Sequence, residues 1–273
     1  MKPPTLDNLL ATLNQSPWTA YATCAAITLT LYIFSRPLRS YVRMGLLYAS
    51  IVLSSSYGIL VSLFCGAETN YISTKAFADV CEWTVGLKFE VEGKEHLDIG
   101  PSVVVYNHQS LLDIVFIGRA MPRRSTVLAK KELKYVPFFG QYLYFSNAIF
   151  VDRSSSQHAQ SLASLHKAAQ QLLFTQSSLL VFPEGTRTLS KEHNMRTFKK
   201  GAFHVAIEAG VPIVPVVCEN HWRIYRPGVF NGGMCKISVL PPISTKGLSS
   251  ADATRLSEST RNLMLAELNR ISQ

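Results

Sequence analysis

The sequence predicts an α/β fold, a mixed and mostly parallel sheet flanked by helices, preceded by an N-terminal two-helix membrane hairpin. Three observations carry that expectation. Short apolar runs alternate with helical patterns through the later two-thirds of the chain. Two long uncharged stretches open it. A length of 273 residues suits one such domain with an appendage.

The first uncharged stretch, Trp18 to Phe34, has seventeen residues and the second, Leu46 to Ala67, twenty-two. At these lengths a helix begins to enter or span a bilayer. Between them lies the short basic segment Ser35-Arg36-Pro37-Leu38-Arg39-Ser40-Tyr41-Val42-Arg43. The first stretch is a poor signal peptide, because its leading region is nearly neutral and a second apolar stretch follows. Two full spans would keep the basic segment cytoplasmic and put everything after Ala67 on the far side. A hairpin that dips into one leaflet and returns removes that conflict, and Ser54-Ser55-Ser56-Tyr57-Gly58 interrupts the second stretch. Residues 1–74 are therefore expected to be a membrane-associated helical hairpin and residues 75–273 the α/β domain.

After Lys75 the texture becomes globular. Phe89 to Val91, Val103 to Tyr106, Thr126 to Ala129, Ala148 to Val151, Leu179 to Phe182, Ile213 to Val217 and Lys236 to Leu240 read as strands. Ser154 to Ser156 can cap a helix whose apolar positions Ala159, Leu162, Leu165, Ala169 and Leu172 recur at helical spacing. Gly201 to Ala209 is a shorter helix ended by Gly210, and Leu256, Leu263, Leu268 and Ile271 mark a last amphipathic one. No internal repeat or low-complexity tract is evident.

Only 16% of residues are charged, few for a soluble enzyme, which points toward lipid. The net charge of +9 lies almost wholly after residue 86, densest from Arg119 to Lys134. Such a surface suits anionic membrane, phosphorylated ligands or nucleic acid, and the apolar N-terminus argues against nucleic acid. Cys24, Cys65, Cys81, Cys218 and Cys235 lack the close spacing of a metal knuckle, and their number is odd. They read as buried thiols in a reducing setting, none beside an activating base in sequence.

Four stretches could carry chemistry. In Asn107-His108-Gln109-Ser110-Leu111-Leu112-Asp113 an imidazole and a carboxylate sit where a strand stops and a helix starts, placed to act as a base and its orienter. On one regular helix five residues would set them about 140° apart, so His108 must lie in the turn before the helix. There is no Gly-x-Ser-x-Gly elbow around Ser110. In Phe182-Pro183-Glu184-Gly185-Thr186-Arg187 a strand ends in a turn; Arg187 offers a planar fork for phosphate and Glu184 an acceptor for hydroxyls. Asn147 to Arg153 is another strand ending in charge, and Arg153 could join Arg187 around one phosphate. Lys130 to Gly140 sets a basic cluster that includes Lys131 beside an aromatic run, fit for a phosphate at one end and an acyl chain or membrane interface at the other.

Together these stretches resemble the glycerolipid acyltransferases of the lysophosphatidic acid acyltransferase type. Asn-His-x4-Asp at His108 and Asp113 matches the family's first block, and the strand ending in Asp152-Arg153 with the Lys-rich segment before it resembles the second. Phe182-Pro-Glu-Gly-Thr-Arg187 matches the third, and Val211-Pro-Ile-Val-Pro-Val216 resembles the fourth. The likeness spans about residues 85 to 220. Asn147 stands where the family often has Gly, and Asn tolerates a left-handed backbone better than most residues.

The resemblance implies acyl transfer from acyl-CoA to the free sn-2 hydroxyl of lysophosphatidic acid, with no metal or cofactor, acyl-CoA serving as co-substrate. His108 would be the base and Asp113 its orienter. Arg187, Arg153 and Lys131 would hold phosphate, Glu184 and Gly185 the glycerol region, and Thr186 would also contact substrate. Membrane lipid would be the setting, preferably an endoplasmic reticulum membrane with the catalytic domain facing the cytosol. Other glycerolipid acceptors such as glycerol 3-phosphate or a lysophospholipid, an acyl-CoA hydrolase and a non-catalytic lipid-binding protein are the alternatives.

Overall fold

The computed structural model describes residues 17–151 and 158–272, residues 158–164 by backbone alone. The seven stretches read as strands all enter one sheet: β1 (Leu87–Glu92), β2 (Val103–Tyr106), β3 (Ser125–Lys130), β4 (Ile149–Val151), β5 (Ser178–Val181), β6 (Ile213–Cys218) and β9 (Gly233–Val239). The strand order is β1-β9-β6-β2-β5-β3-β4. Every neighbouring pair is parallel except β6 with β9. A two-stranded ribbon, β7 (Tyr225–Arg226) with β8 (Val229–Phe230), is an addition that the apolar pattern did not foretell. Its turn is Pro227-Gly228, and Gly228 takes the positive φ of +77° that a tight turn asks of its third residue.

β2 shows why the centre of the sheet is uniformly apolar. Val104 and Tyr106 face one buried cluster, while Val103 and Val105 face another, so alternation in the strand serves two apolar faces. The first face is covered by α2 (Arg36–Cys65), α3 (Thr69–Val85) and α4 (Asp113–Ile117). The second carries α6 (His158–Thr175), α7 (Gly201–Ala209) and α8 (Ala253–Ile271). α7 ends at Gly210, φ +64°, as its sequence implies. On α8 the periodicity misplaces one residue: Leu256, Leu268 and Ile271 are buried, but Leu263 is exposed and Met264 takes its place in the core. Ala169 and Leu172 of α6 are buried; the cap expected at Ser154 to Ser156 lies outside the described residues.

The N-terminal part differs from expectation. α1 (Pro17–Phe34) buries none of its residues, so a hairpin between the two long apolar stretches is not confirmed. The antiparallel pair is α2 with α3: Ser50 Oγ lies 3.4 Å from Thr84 Oγ1, and Gly58 faces Ser73. The basic segment is not a loop. Ser35 accepts a hydrogen bond from Leu38 N and Pro37 sits in the first turn, so helix begins at once. Arg39 then donates to the carbonyl of Tyr32 at 3.1 Å, meeting an end group that α1 leaves unpaired. The Ser54 to Gly58 stretch does not interrupt the helix; it ends at a point of close approach to α2. A Cβ on Gly58 would come within 2.5 Å of the Tyr142 ring on α5 (Phe139–Phe145), so glycine is required there by contact.

α2 is also inverted relative to a helix of a soluble domain. It buries Ser40, Leu47, Ser50, Ser55, Gly58 and Val61 and turns Tyr48, Leu53, Leu60, Leu63 and Phe64 outward. Small residues toward protein and large apolar ones away from it are what a lipid neighbour selects. One helical stretch among the described residues, Arg36–Val85, is long and apolar enough to cross a membrane.

Candidate active site

β5, β2 and β6 lie side by side and parallel, so their carboxyl ends deliver three loops to one edge, where α/β sheets hold ligands. The loop after β2 carries His108. It is fastened first by Asn107, whose amide donates to the Cys218 carbonyl and accepts from the Cys218 amide, both at 2.8 Å. Gln109 Nε2 donates to the carbonyls of Cys218 and Glu219, each at 2.9 Å. The side chains on either side of His108 are thus bound to the end of β6.

His108 precedes α4, as the five-residue spacing requires. Its Nδ1 lies 2.7 Å from Asp113 Oδ2, and the ring stacks on Phe182, centroids 4.1 Å apart. Nε2 has no hydrogen-bond partner among the described residues. Asp113 is buried, and Oδ2 also accepts from the amides of Gln109 at 2.6 Å and Ser110 at 2.9 Å. Those two amides fix the carboxylate in one rotamer. Orientation of a ring whose other nitrogen is open suits general-base work.

Of the eight residues singled out in the sequence, the structure brings together His108, Asp113, Glu184, Gly185, Thr186 and Arg187. Glu184 faces inward. Its carboxylate is buried, Oε1 accepting from His108 N at 2.7 Å and Oε2 from Thr188 Oγ1 at 2.7 Å and Arg196 N at 2.9 Å. It ties the loop after β5 to the loop after β2. Both oxygens have donors, so a Gln at this place must aim an NH₂ at one of them. Glu184→Gln is therefore expected to cost about 1–3 kcal/mol of stability, read as a fall in the thermal midpoint of the purified protein.

Gly185 has φ +71°, and the Lys199 side chain lies against it, Cε 2.8 Å from where a Cβ would be. Thr186 and Arg187 are exposed, and Arg187 has no ion-pair or hydrogen-bond partner among the described residues. Its neighbour Thr188 donates from N to the His108 carbonyl at 2.9 Å, and its single hydroxyl proton faces both Glu184 Oε2, at 2.7 Å, and that carbonyl, at 3.0 Å. Lys131 is exposed in a short 3₁₀ turn beyond β3, two strands from β2. Arg153 lies outside the described residues. Asn147, standing where the family often has Gly, does take the left-handed backbone, φ +59°.

Sequence reading missed the groups that act from behind. Asn107 and Gln109 could have been suspected only from knowing where Cys218 lies. His221 escaped notice because nothing in its sequence neighbourhood pairs with it, yet its Nε2 is 2.6 Å from Ser110 Oγ. The cysteines divide: Cys24 is exposed, Cys65 half-buried, and Cys81, Cys218 and Cys235 are buried. Strand pairing brings Cys218 Sγ and Cys235 Sγ to 3.2 Å. With His221 they are three donors within 4.8 Å of one another, the described side chains whose arrangement could hold a soft metal ion. Burial, reinforced by Cys235, holds the Cys218 thiol well above its usual pKa, so it is no ready nucleophile.

An acyltransferase family model matches residues 88–219, which takes in the loops after β2 and β5 and ends where the loop after β6 begins. The 1-acyl-sn-glycerol-3-phosphate acyltransferase of Saccharomyces cerevisiae is 38% identical over 238 residues, 85% of this chain and 78% of that one. The human 1-acyl-sn-glycerol-3-phosphate acyltransferase alpha is 38% identical over 196 residues, 70% of this chain and 67% of that one. The crystal structure of the 1-acyl-sn-glycerophosphate (LPA) acyltransferase PlsC from Thermotoga maritima superposes with a TM-score of 0.69, at 23% identity, over 86% of this chain and 95% of that one. It shares the fold. With that much of the yeast relative spanned, and with His108 and Asp113 paired at the end of β2 inside the matched region, the chain belongs to the acyltransferase family.

Proposed function

We propose that this protein transfers an acyl group from acyl-CoA to the free sn-2 hydroxyl of lysophosphatidic acid, giving phosphatidic acid. The observation that carries the mechanism is the His108 ring: Nδ1 is committed to a buried Asp113 and Nε2 is open. Nε2 takes the hydroxyl proton as the oxygen attacks the thioester carbonyl carbon. The C–S bond then breaks, and the leaving CoA sulfur receives that proton from the imidazolium. Asp113 holds the ring in one orientation and stabilises its charged form. Relatives named for this same acceptor support the substrate.

Arg187 holds the phosphomonoester of the acceptor, as a bidentate fork that has no competing partner among the described residues. Thr186 and Gly185 border the same loop, and Glu184 acts as a positioning residue that keeps the loop against His108. Lys131 and Arg153 hold phosphate of either substrate. Arg187→Ala is expected to raise the KM for lysophosphatidic acid about ten- to hundredfold, the worth of charge-assisted hydrogen bonds, with kcat within a few-fold. An unchanged KM would remove Arg187 from this role.

The outward apolar face of α2 and an α1 that buries none of its residues support a membrane setting. Residues 1–74 then form the membrane-associated part and residues 75–273 the catalytic domain, a division of roles across helices that pack together. The membrane is that of the endoplasmic reticulum, and the catalytic edge faces the cytosol, where acyl-CoA is soluble. A panel of acceptors assayed with one acyl-CoA tests the reading. Lysophosphatidic acid should be acylated fastest; preference for glycerol 3-phosphate or a headgroup-bearing lysolipid would displace it as the acceptor. Thioester cleavage indifferent to acceptor would make the protein a hydrolase.

A further inference from the structure

His221 stands directly behind the dyad, and none of the steps above uses it. Its side chain is 2% exposed, and its Nε2 lies 2.6 Å from Ser110 Oγ and 3.6 Å from Asp113 Oδ1. Asp113 is served on one side only. Oδ2 has three donors, whereas Oδ1 has no hydrogen-bond partner among the described residues. Buried polar atoms left unpaired are rare enough to ask what they do.

We propose that His221 is a positioning residue for the reaction, holding Asp113 through Ser110 so that Oδ2 stays aimed at His108 Nδ1. Ser110 is the hinge of this arrangement. Its backbone N donates to Asp113 Oδ2, and its Oγ accepts from Leu112 N at 3.0 Å while bonding His221. Fixing Oγ therefore fixes an amide that the carboxylate depends on. The bond forms in either neutral tautomer, with Nε2–H donating to Oγ or Oγ–H donating to Nε2. The contact with Oδ1 is too long for a hydrogen bond; there the ring edge fills the space beside Oδ1 and opposes a carboxylate rotation that would carry Oδ2 away from His108.

The ring itself cannot drift. Phe116 meets it edge to face at 4.9 Å, and Cys218 and Cys235 pack close by. Burial lowers the pKa of His221, against the pull of Asp113, while Arg223 on its own loop adds to the lowering. A neutral ring leaves the charge of Asp113 to His108. The loop after β6 thus reaches the dyad by two routes, backbone carbonyls through Gln109 and a side chain through His221.

The inference rests on the acyl-transfer reading only for the rate that reports it, so the test has two arms. In the first, His221→Leu in the full chain should lower kcat about tenfold, the size of one hydrogen bond, with both KM values within about twofold. His221→Gln, which can donate or accept at the same place, should recover most of that loss. Ser110→Ala should lose a similar factor alone and add little to His221→Leu, the mark of two groups acting as a unit. In the second arm, NMR follows the His108 Nδ1 proton bonded to Asp113. Its resonance should move in His221→Leu and Ser110→Ala and stay in His221→Gln. Undiminished kcat in His221→Leu, equal loss in Leu and Gln, or an unmoved resonance would each overturn the proposal. If His221→Leu does not fold, a Ser110→Ala protein with full kcat overturns it. If wild type fails to acylate lysophosphatidic acid, the acyl-transfer reading fails and the resonance still decides the role of His221.

Discussion

His108→Ala is expected to leave a folded, membrane-bound protein whose turnover is lower by about 10³- to 10⁴-fold, the upper part of what a positioned general base supplies. The structure separates the chemistry of this side chain from the architecture of its loop. The backbone of residue 108 has contacts of its own: N donates to Glu184 Oε1, and the carbonyl accepts from Thr188 N. Alanine keeps them all. What goes is the ring, whose side chain is 20% exposed, so its removal opens a surface notch over Phe182 and no buried cavity. The loss of the Phe182 stack and of one of three donors to Asp113 Oδ2 should cost about 1–2 kcal/mol. A thermal midpoint lowered by a few degrees with turnover near zero is the expected pair of results. Near-normal turnover would end His108's role as base, and a collapsed midpoint would mean that the ring is a structural wedge.

The sheet was legible because burial on both faces leaves unbroken apolar runs, as in β2 and β6, and because Gly210 punctuates them. His108 and Asp113 were legible for a different reason. A strand end, a short gap and an apolar helix start confine two polar side chains to one turn, so five residues of local sequence nearly determine the contact. Glu184 was found but its direction was not. That an acid at a strand end faces inward depends on His108 N, Thr188 and Arg196 meeting it from three places in the chain. His221 was invisible for the same reason carried further, since its partner Ser110 is 111 residues away. The N-terminal helices misled because hydropathy records length and not direction. The run containing Ser54 to Gly58 looked broken, whereas those small residues mark the side of α2 that protein covers.

Asp113→Asn should be the second-largest loss, and its interest lies in how little else changes. Among the described residues, one oxygen of Asp113 has three donors and the other none. An asparagine can put its carbonyl where Oδ2 is, keep all three donors, and place its NH₂ at the Oδ1 position, facing His221 Nε2. Glu184 has no such spare oxygen, which is why its amide is expected to destabilise and this one is not. With geometry kept, only the negative charge is removed. A unit charge pair about 4 Å apart at an effective dielectric of about 20 is worth about 4 kcal/mol, or about three powers of ten in rate when it stabilises an imidazolium that forms only as the hydroxyl proton moves. The expected result is a kcat lower by about 10²- to 10³-fold, since an amide oxygen still accepts from Nδ1. The thermal midpoint should stay within a few degrees and the KM for lysophosphatidic acid should hold. Because His108 and Asp113 act as one unit, the double variant His108→Ala with Asp113→Asn should be no slower than His108→Ala alone. A further loss in the double variant would show that Asp113 serves the reaction by a route that does not pass through His108.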